Sequence, residues 1–159
     1  MDRPTILHLA FILLLATGCN GPTGTGSDQD FSLLYEDDID RIDFDSATLT
    51  RKYMNSLRTI NIDIEQNIRR KILAFILDNN VLNIDPSKLT GYCTTHTMPE
   101  SSFSLEIAIG EKQPRRFSWT SNNCGDEVDV LYQLSDLIKE HTVDRISAEK
   151  LPPTDVTSE

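Results

Sequence analysis

Between Phe103 and Ile109 apolar and polar residues alternate without a break, with Phe103, Leu105, Ile107 and Ile109 on one side and Ser104, Glu106 and Ala108 on the other. A period of two is the repeat of an extended chain whose successive side chains point to opposite faces, so this stretch is a strand with one buried face. Phe117 and Trp119 continue the pattern after Gly110-Glu111-Lys112-Gln113-Pro114. Gly and Pro at the two ends of that break mark a turn. With Ile109 facing Arg115 across it, Ile107 pairs with Phe117 and Leu105 with Trp119 on the buried side. The other side then presents Ser104, Glu106, Ala108, Arg116, Ser118 and Thr120, short or charged residues suited to a wet sheet face. Plain solvation is the ordinary reading of such a face; Glu106, Arg116 and Ser118 on it are the candidate partner-docking residues.

Two other segments follow a helical period. Val130, Leu131, Leu134, Leu137 and Ile138 form one stripe, with Asp126, Glu127 and Asp129 at its start and Lys139 and His141 at its end, as the helix dipole favours. Ile64, Ile68, Ile72, Phe75 and Ile76 form another; Asp63 with Gln66 resembles a capping box, and Asn79-Asn80 can close the helix. Ahead of it, Ile39 to Phe44 and Leu49 to Met54 read as short strands around Asp45-Ser46-Ala47, with a third at Leu57 to Ile60. Hairpin, helix, hairpin, helix predicts an α+β fold, an antiparallel sheet with two helices on one face built from two β-β-α units. The domain is expected over 31–151, and 152–159 as a disordered tail.

Ile6 to Ala16 is an apolar run interrupted only by His8, preceded by Arg3 and followed by Thr17 and Gly18. It is too short for a transmembrane helix, which needs about 20 residues, and it suits the core of a signal peptide over 1–18. Leu15-Ala16-Thr17-Gly18-Cys19 resembles the lipobox of bacterial lipoprotein precursors. That resemblance implies lipidation of Cys19, cleavage before it, and stable membrane anchoring through several acyl chains. Asn20 after the Cys, where Asp is the familiar inner-membrane retention signal in some bacteria, implies the outer membrane. An ordinary secretory signal with an incidental Cys is the alternative. From Asn20 to Asp30 there is no large apolar side chain, and such a flexible tether has an r.m.s. reach of roughly 17 to 20 Å. With its lipobox and small Cys-containing hairpin-helix domain, the chain is similar in layout to uncharacterised lipoproteins of Gram-negative bacteria of the Bacteroidota type, a resemblance that implies no activity.

Of the three Cys, assigning Cys19 to lipid leaves Cys93 and Cys124 as a pair, and an even remainder fits a disulfide in an exported domain. Cys93-Thr94-Thr95-His96 also has ligand-like spacing, and Cys124 and His141 could complete a zinc set; no resident metal or cofactor is the expectation, because the second ligand pair is widely spaced.

A formal charge of −10 disfavours a nonspecific grip on nucleic acid. No G-x-S-x-G elbow, P-loop, H-E-x-x-H helix or dinucleotide fingerprint is present. Ser101, Ser102 and Ser104 near His96 read as a polar loop rather than as nucleophiles. Glu36, Asp37, Asp38, Asp40, Asp43 and Asp45 crowd a short stretch without the EF-hand spacing and read as a solvated acidic strand and turn. Arg115-Arg116 and Arg69-Arg70-Lys71 read as solvated basic patches. Two classes of function remain: a membrane-anchored envelope lipoprotein with a noncatalytic binding or structural role, and a periplasmic inhibitor or immunity-type protein.

Overall fold

The structure, a computed structural model, describes residues 30–147 and 150–154. Strands β1 (Phe31–Asp37), β2 (Asp40–Asp43), β3 (Thr48–Tyr53), β4 (Ser56–Asn61), β5 (Ser102–Ile109) and β6 (Arg115–Thr120) form one sheet in the order β4-β3-β2-β1-β5-β6. All its junctions are antiparallel. Helix α1 (Gln66–Asp78) follows β4 and α2 (Asp126–His141) follows β6. The α+β class, the antiparallel sheet and the two helices on one face are thus present. The first of the two units is longer than expected, ββββα against ββα, because β1 precedes the foreseen strands and the third of those, β4, also joins the sheet before α1. Phe31, Leu33 and Tyr35 alternate with Ser32, Leu34 and Glu36 and are buried on the helix side. β1 sits centrally, paired with β5 from Phe31↔Ile109 to Asp37↔Phe103.

The core is the layer between sheet and helices. Leu33, Ile42, Leu49, Leu105, Ile107 and Phe117 from the sheet meet Ile68, Ile72 and Ile76 of α1 and Val128, Leu131, Leu134 and Ile138 of α2 in one cluster. The expected stripes are buried at Ile68, Ile72 and Ile76 and at Leu131, Leu134 and Ile138, while Ile64, Phe75, Val130 and Leu137 are half-buried, and on α2 Val128 rather than Val130 enters the core. The expected capping box does not form: α1 begins one residue after Glu65, which has N-cap backbone geometry without a side-chain cap bond. Its other end closes as expected, with the Asn79 amide on the Phe75 carbonyl (2.9 Å) and Asn80 in the left-handed conformation.

The β5–β6 register differs from expectation by two residues. Ile107 faces Arg115, Leu105 faces Phe117, and Phe103 faces Trp119. Ala108 and Ile109 still pair with Ser32 and Phe31 of β1 but run past the end of β6, which begins only at Arg115, after Pro114 with no N–H to offer a ladder. Gly110, at φ 60°, turns the chain where an L side chain would be strained. A slip of two preserves the side on which every residue lies, so the buried and wet faces survive it.

The Asp30 carbonyl accepts from the Gly110 N–H (2.8 Å), so the chain enters β1 beside the β5–β6 turn. This is the entry end of the sheet. The far end carries the β1–β2 turn, the open end of the β5–β6 hairpin and the segment around Cys93 and Cys124. Leu151 is buried, the Pro152 carbonyl accepts from Tyr53 Oη (2.9 Å), and Thr154 Oγ1 donates to the Lys52 carbonyl (2.8 Å). Packed chain therefore extends to Thr154, past the start of the expected tail. Residues 155–159 lie outside the described residues, as do the expected signal segment over 1–18, Cys19 and the expected tether up to residue 29. Among the described residues no helix is long and apolar enough to cross a membrane.

Candidate functional site

At the far end, the wet sheet face runs into a cleft of about 460 Å³ lined by Glu36, Asp38, Lys52, Tyr92, Ser104, Ser118 and Asn123, among others. Ser118, expected on a docking face, lies in its wall opposite Ser104. The next pair along that face toward the entry end is Glu106 and Arg116, which bond to each other (Oε2–Nε 2.7 Å). The three expected docking residues thus lie on one continuous surface, but only Ser118 enters the concavity.

One wall is built on buried charge. Asp37 and Asp40 end β1 and begin β2 across a two-residue turn, and both face the core side. Asp37 Oδ1 accepts from the N–H groups of Ile39 (2.9 Å) and Asp40 (2.7 Å), closing that turn. Its Oδ2 accepts from Tyr35 Oη (2.9 Å) and Lys139 Nζ (2.9 Å), tying the turn to α2. Asp40 forms a two-pronged pair with its cross-strand neighbour Arg51, Nε and Nη2 each at 2.7 Å, and Arg51 Nη1 reaches the Pro152 carbonyl (3.3 Å). The expectation of a solvated acidic run is therefore corrected at these two residues. Period-two geometry places them inward with Tyr35 and Ile42, where only pairing makes a carboxylate tolerable. Burial by itself raises the Asp37 carboxyl, but the Asp40 N–H, the Lys139 ammonium and the Ile39 N–H outweigh it and hold its pKa below the ordinary value. Burial, and then the Asp37 charge, push the Tyr35 phenol far up. Asp43 accepts from the N–H groups of Asp45 (2.9 Å) and Ser46 (3.1 Å) at the β2–β3 turn.

The other wall is built on a cross-link and amides. Cys93 and Cys124 lie at disulfide distance with Cα atoms 5.1 Å apart, beside an antiparallel bridge between Tyr92 and Asn123. Cys93 N–H donates to the Asn122 carbonyl and Cys124 N–H to that of Gly91, both at 2.8 Å. A Cβ on Gly91 would stand 3.0 Å from the Cys124 carbonyl oxygen, so glycine permits the close crossing. Asn122 clamps Thr97 from both sides, accepting from its N–H (2.6 Å) and donating to its carbonyl (3.2 Å). Asn123 Oδ1 accepts from the Thr120 N–H (2.7 Å). Behind this wall Phe103 stacks on Trp119 (5.5 Å), and Tyr132 meets both rings edge-on while donating to the Thr120 carbonyl (2.9 Å). The pinned loop holds Tyr92 73% and Met98 86% exposed, large apolar surface that the fold itself does not use.

The zinc alternative does not assemble. His96 lies against Tyr92 with ring centroids 6.2 Å apart, whereas His141 is buried at the end of α2 with Nε2 2.8 Å from Lys71 Nζ. Among the described residues no three His, Cys, Asp or Glu side chains gather as metal ligands. The basic patches are also partly structural. Arg69 donates to the carbonyls of Phe44 (2.8 Å) and Phe31 (3.2 Å) and lies over both rings, while Arg115 donates to the Ile84 carbonyl (2.9 Å).

Sequence reasoning missed Glu36, Asp38, Lys52 and Tyr92 as cleft residues. Glu36 is held by Lys52 (3.5 Å) and Arg41 (3.7 Å), and Asp38 accepts from the Ser102 N–H (3.2 Å). The alternation through Phe31, Leu33 and Tyr35 was the available signal, since it places Glu36 outward on the same face as Ser104. Compared with protein-family models and with curated proteins, the sequence matches none.

Proposed function

We propose that this chain is a membrane-anchored lipoprotein of the bacterial envelope, held through Cys19 at the outer membrane. Its domain has a noncatalytic role, binding another envelope protein at the far end of the sheet. The observation that carries the binding reading is the cleft with its pinned rim: a concavity of about 460 Å³ beside Tyr92, which the fold leaves 73% exposed. The charged groups in its lining are held in pairs, Glu36 by Lys52 and Arg41 and Asp38 by a backbone N–H, as suits fixed recognition groups. The anchoring reading rests on the resemblance of Leu15 to Cys19 to a lipobox, and the placement of the two ends supports it. A seven-residue strand spans about 20 Å, so a tether joining before β1 attaches at the end of the sheet opposite the cleft and leaves the cleft unobstructed.

A photoreactive amino acid at Ser118 in the intact, anchored chain tests the binding reading, with the same group at Glu111 in the entry-end turn as control. A discrete protein adduct from Ser118, absent from Glu111, is the expected result. Adducts equal at both positions, or none from Ser118, overturn the far-end site. Changing Cys19→Ala tests the anchor, since it should move the chain from membranes to the soluble fraction, and retention in membranes overturns the lipobox reading.

A further inference from the structure

The two edges of the sheet are finished differently. Along β6 the 3-10 turn Pro86–Thr90 packs against the strand, Arg115 bonds the Ile84 carbonyl, and the Tyr92–Asn123 bridge continues past its end. Along β4 nothing comparable is present among the described residues, and Ser56 to Thr59 are all exposed. Natural sheets usually shield such an edge because it is a template for another strand.

The ladder shows which groups the β4 edge presents. Ile62 N–H donates to the Ala47 carbonyl (2.9 Å), which makes that pair a hydrogen-bonded one in continuation of the β3–β4 register. Pairs alternate in an antiparallel ladder, so Leu49↔Ile60 and Arg51↔Arg58 bond while Thr48↔Asn61, Thr50↔Thr59 and Lys52↔Leu57 do not. The hydroxyls of Thr50 and Thr59 touch at 2.8 Å, as the closer approach at a non-bonded pair allows. The N–H and C=O of Leu57, Thr59 and Asn61 therefore point outward from the sheet. Among the described residues none of these groups has a backbone or side-chain partner. Leu57 is 69% exposed and Met54, at the adjoining turn, 68%. Arg58 forms no ion pair among the described residues, in contrast to Arg41, Arg51 and Arg116.

We infer that β4 is a strand-addition site, and that its occupant is an extended segment of a partner protein pairing antiparallel through Leu57, Thr59 and Asn61. Main-chain groups supply the attraction, and side chains set the preference. Opposite Arg58 the segment carries a carboxylate, and opposite Leu57 and Ile60 it carries apolar side chains. A second copy of this chain is the poorer occupant, since each copy bears a formal charge of −10. The site lies on the opposite edge from the disulfide loop and is independent of the cleft reading.

The test uses a capped seven-residue peptide, Ser-Thr-Val-Thr-Glu-Val-Ser, which places Glu opposite Arg58 and Val opposite Leu57 and Ile60. It is titrated into the full-length chain while backbone amide signals are followed by NMR. Saturable shifts centred on Leu57, Thr59 and Asn61 are expected, with slowed hydrogen exchange at those amides. Thr59→Pro removes one outward N–H without breaking a ladder bond, a replacement that edge strands tolerate, and should weaken the peptide by about tenfold or more. Unchanged thermal unfolding shows that the variant folds; if it does not, N-methylation of the peptide at its ladder-facing amides makes the same test from the other side. No saturable shift, shifts centred elsewhere, or indifference to both Thr59→Pro and N-methylation overturns the site. Protection of these amides that grows with protein concentration in the absence of peptide overturns the occupant in favour of a second copy. Crosslinking from Ser118 should be untouched by Thr59→Pro, which separates failure here from failure of the cleft.

Discussion

On the β1–β3 side of the far-end cleft the backbone is held by two inward carboxylates, each paired to a cation from another element, Lys139 of α2 and Arg51 of β3. On the β6 side it is held by the Cys93–Cys124 link, two asparagine amides and a stack of aromatic rings. Both walls position a short turn at the same end of one sheet, yet the first depends on charge state and the second on oxidation state. The cleft can therefore be dismantled from either side by changes that leave the other wall intact. A site with two such supports keeps its shape only where pH is not strongly acidic and thiols are oxidised.

The largest expected effect comes from breaking the charged wall by halves. Removing Asp40 by Asp40→Ala leaves a guanidinium that is only 12% exposed without its carboxylate, and should cost about 3 to 5 kcal/mol in urea unfolding. Replacing both partners, Asp40→Leu with Arg51→Met, should recover most of that loss, because the penalty is the stranded charge and not the missing pair. If the double variant is as weak as the single one, the pair contributes real attraction and the wall is stronger than desolvation arithmetic allows.

The covalent wall comes next. Cys93→Ser with Cys124→Ser frees a loop closed across 31 residues, and chain entropy puts the loss at roughly 2 to 4 kcal/mol. The comparison sharpens if hydrogen exchange is read locally. Loss of the link should speed exchange at Thr97, Cys93 and Cys124 while leaving the Asp40 amide slow. Equal acceleration in both walls would show that they are one cooperative unit.

Smaller still is the pH dependence of the charged wall. Asp37 has a folded pKa below its unfolded value, so it binds its proton more readily when unfolded. It adds stability above the ordinary carboxylate pKa and loses it as pH falls through the depressed folded value. The unfolding midpoint should fall between neutral pH and about pH 3, and Asp37→Asn should flatten that acid limb while lowering the neutral plateau. A limb equally steep in the variant would place the titrating group elsewhere.

The same contrast marks what could be read from sequence. The covalent wall is legible: counting Cys pairs Cys93 with Cys124, and the alternation from Phe103 to Trp119 gives the hairpin beside them. The register expected for that hairpin is two residues off, because alternation fixes the face on which a residue lies but not which slip of two residues the strands adopt. The pairing in the charged wall is not legible. Alternation with Tyr35 and Ile42 marks Asp37 and Asp40 as inward among the six carboxylates, but their partners Lys139 and Arg51 arrive only through tertiary contact. Hydrophobic periodicity tells which face a residue occupies, but whether a carboxylate on the inner face finds a cation depends on packing that no window of sequence contains.

The mildest change falls on the wet face between the walls, at Glu106 and Arg116. Their 2.7 Å pair is short, but the Arg116 side chain is 78% exposed, and water competes for both partners. Exchanging the charges, Glu106→Lys with Arg116→Glu, keeps opposite signs across β5 and β6 and should leave stability within about 1 kcal/mol of the parent. Near-neutral stability makes the exchange a clean probe of binding, because any loss of capture then reports on recognition and not on the fold. Ser118 lies one pair closer to the cleft on the same face, so a partner seated in the cleft and extending over the sheet should lose crosslinking from Ser118 in the exchanged variant. Full crosslinking in the exchanged variant confines the contact to the cleft and the loop from Cys93 to Ser102, with Tyr92 as the next residue to change. Strand pairing along β4, three strands beyond β1 on the other side, should ignore the exchange altogether.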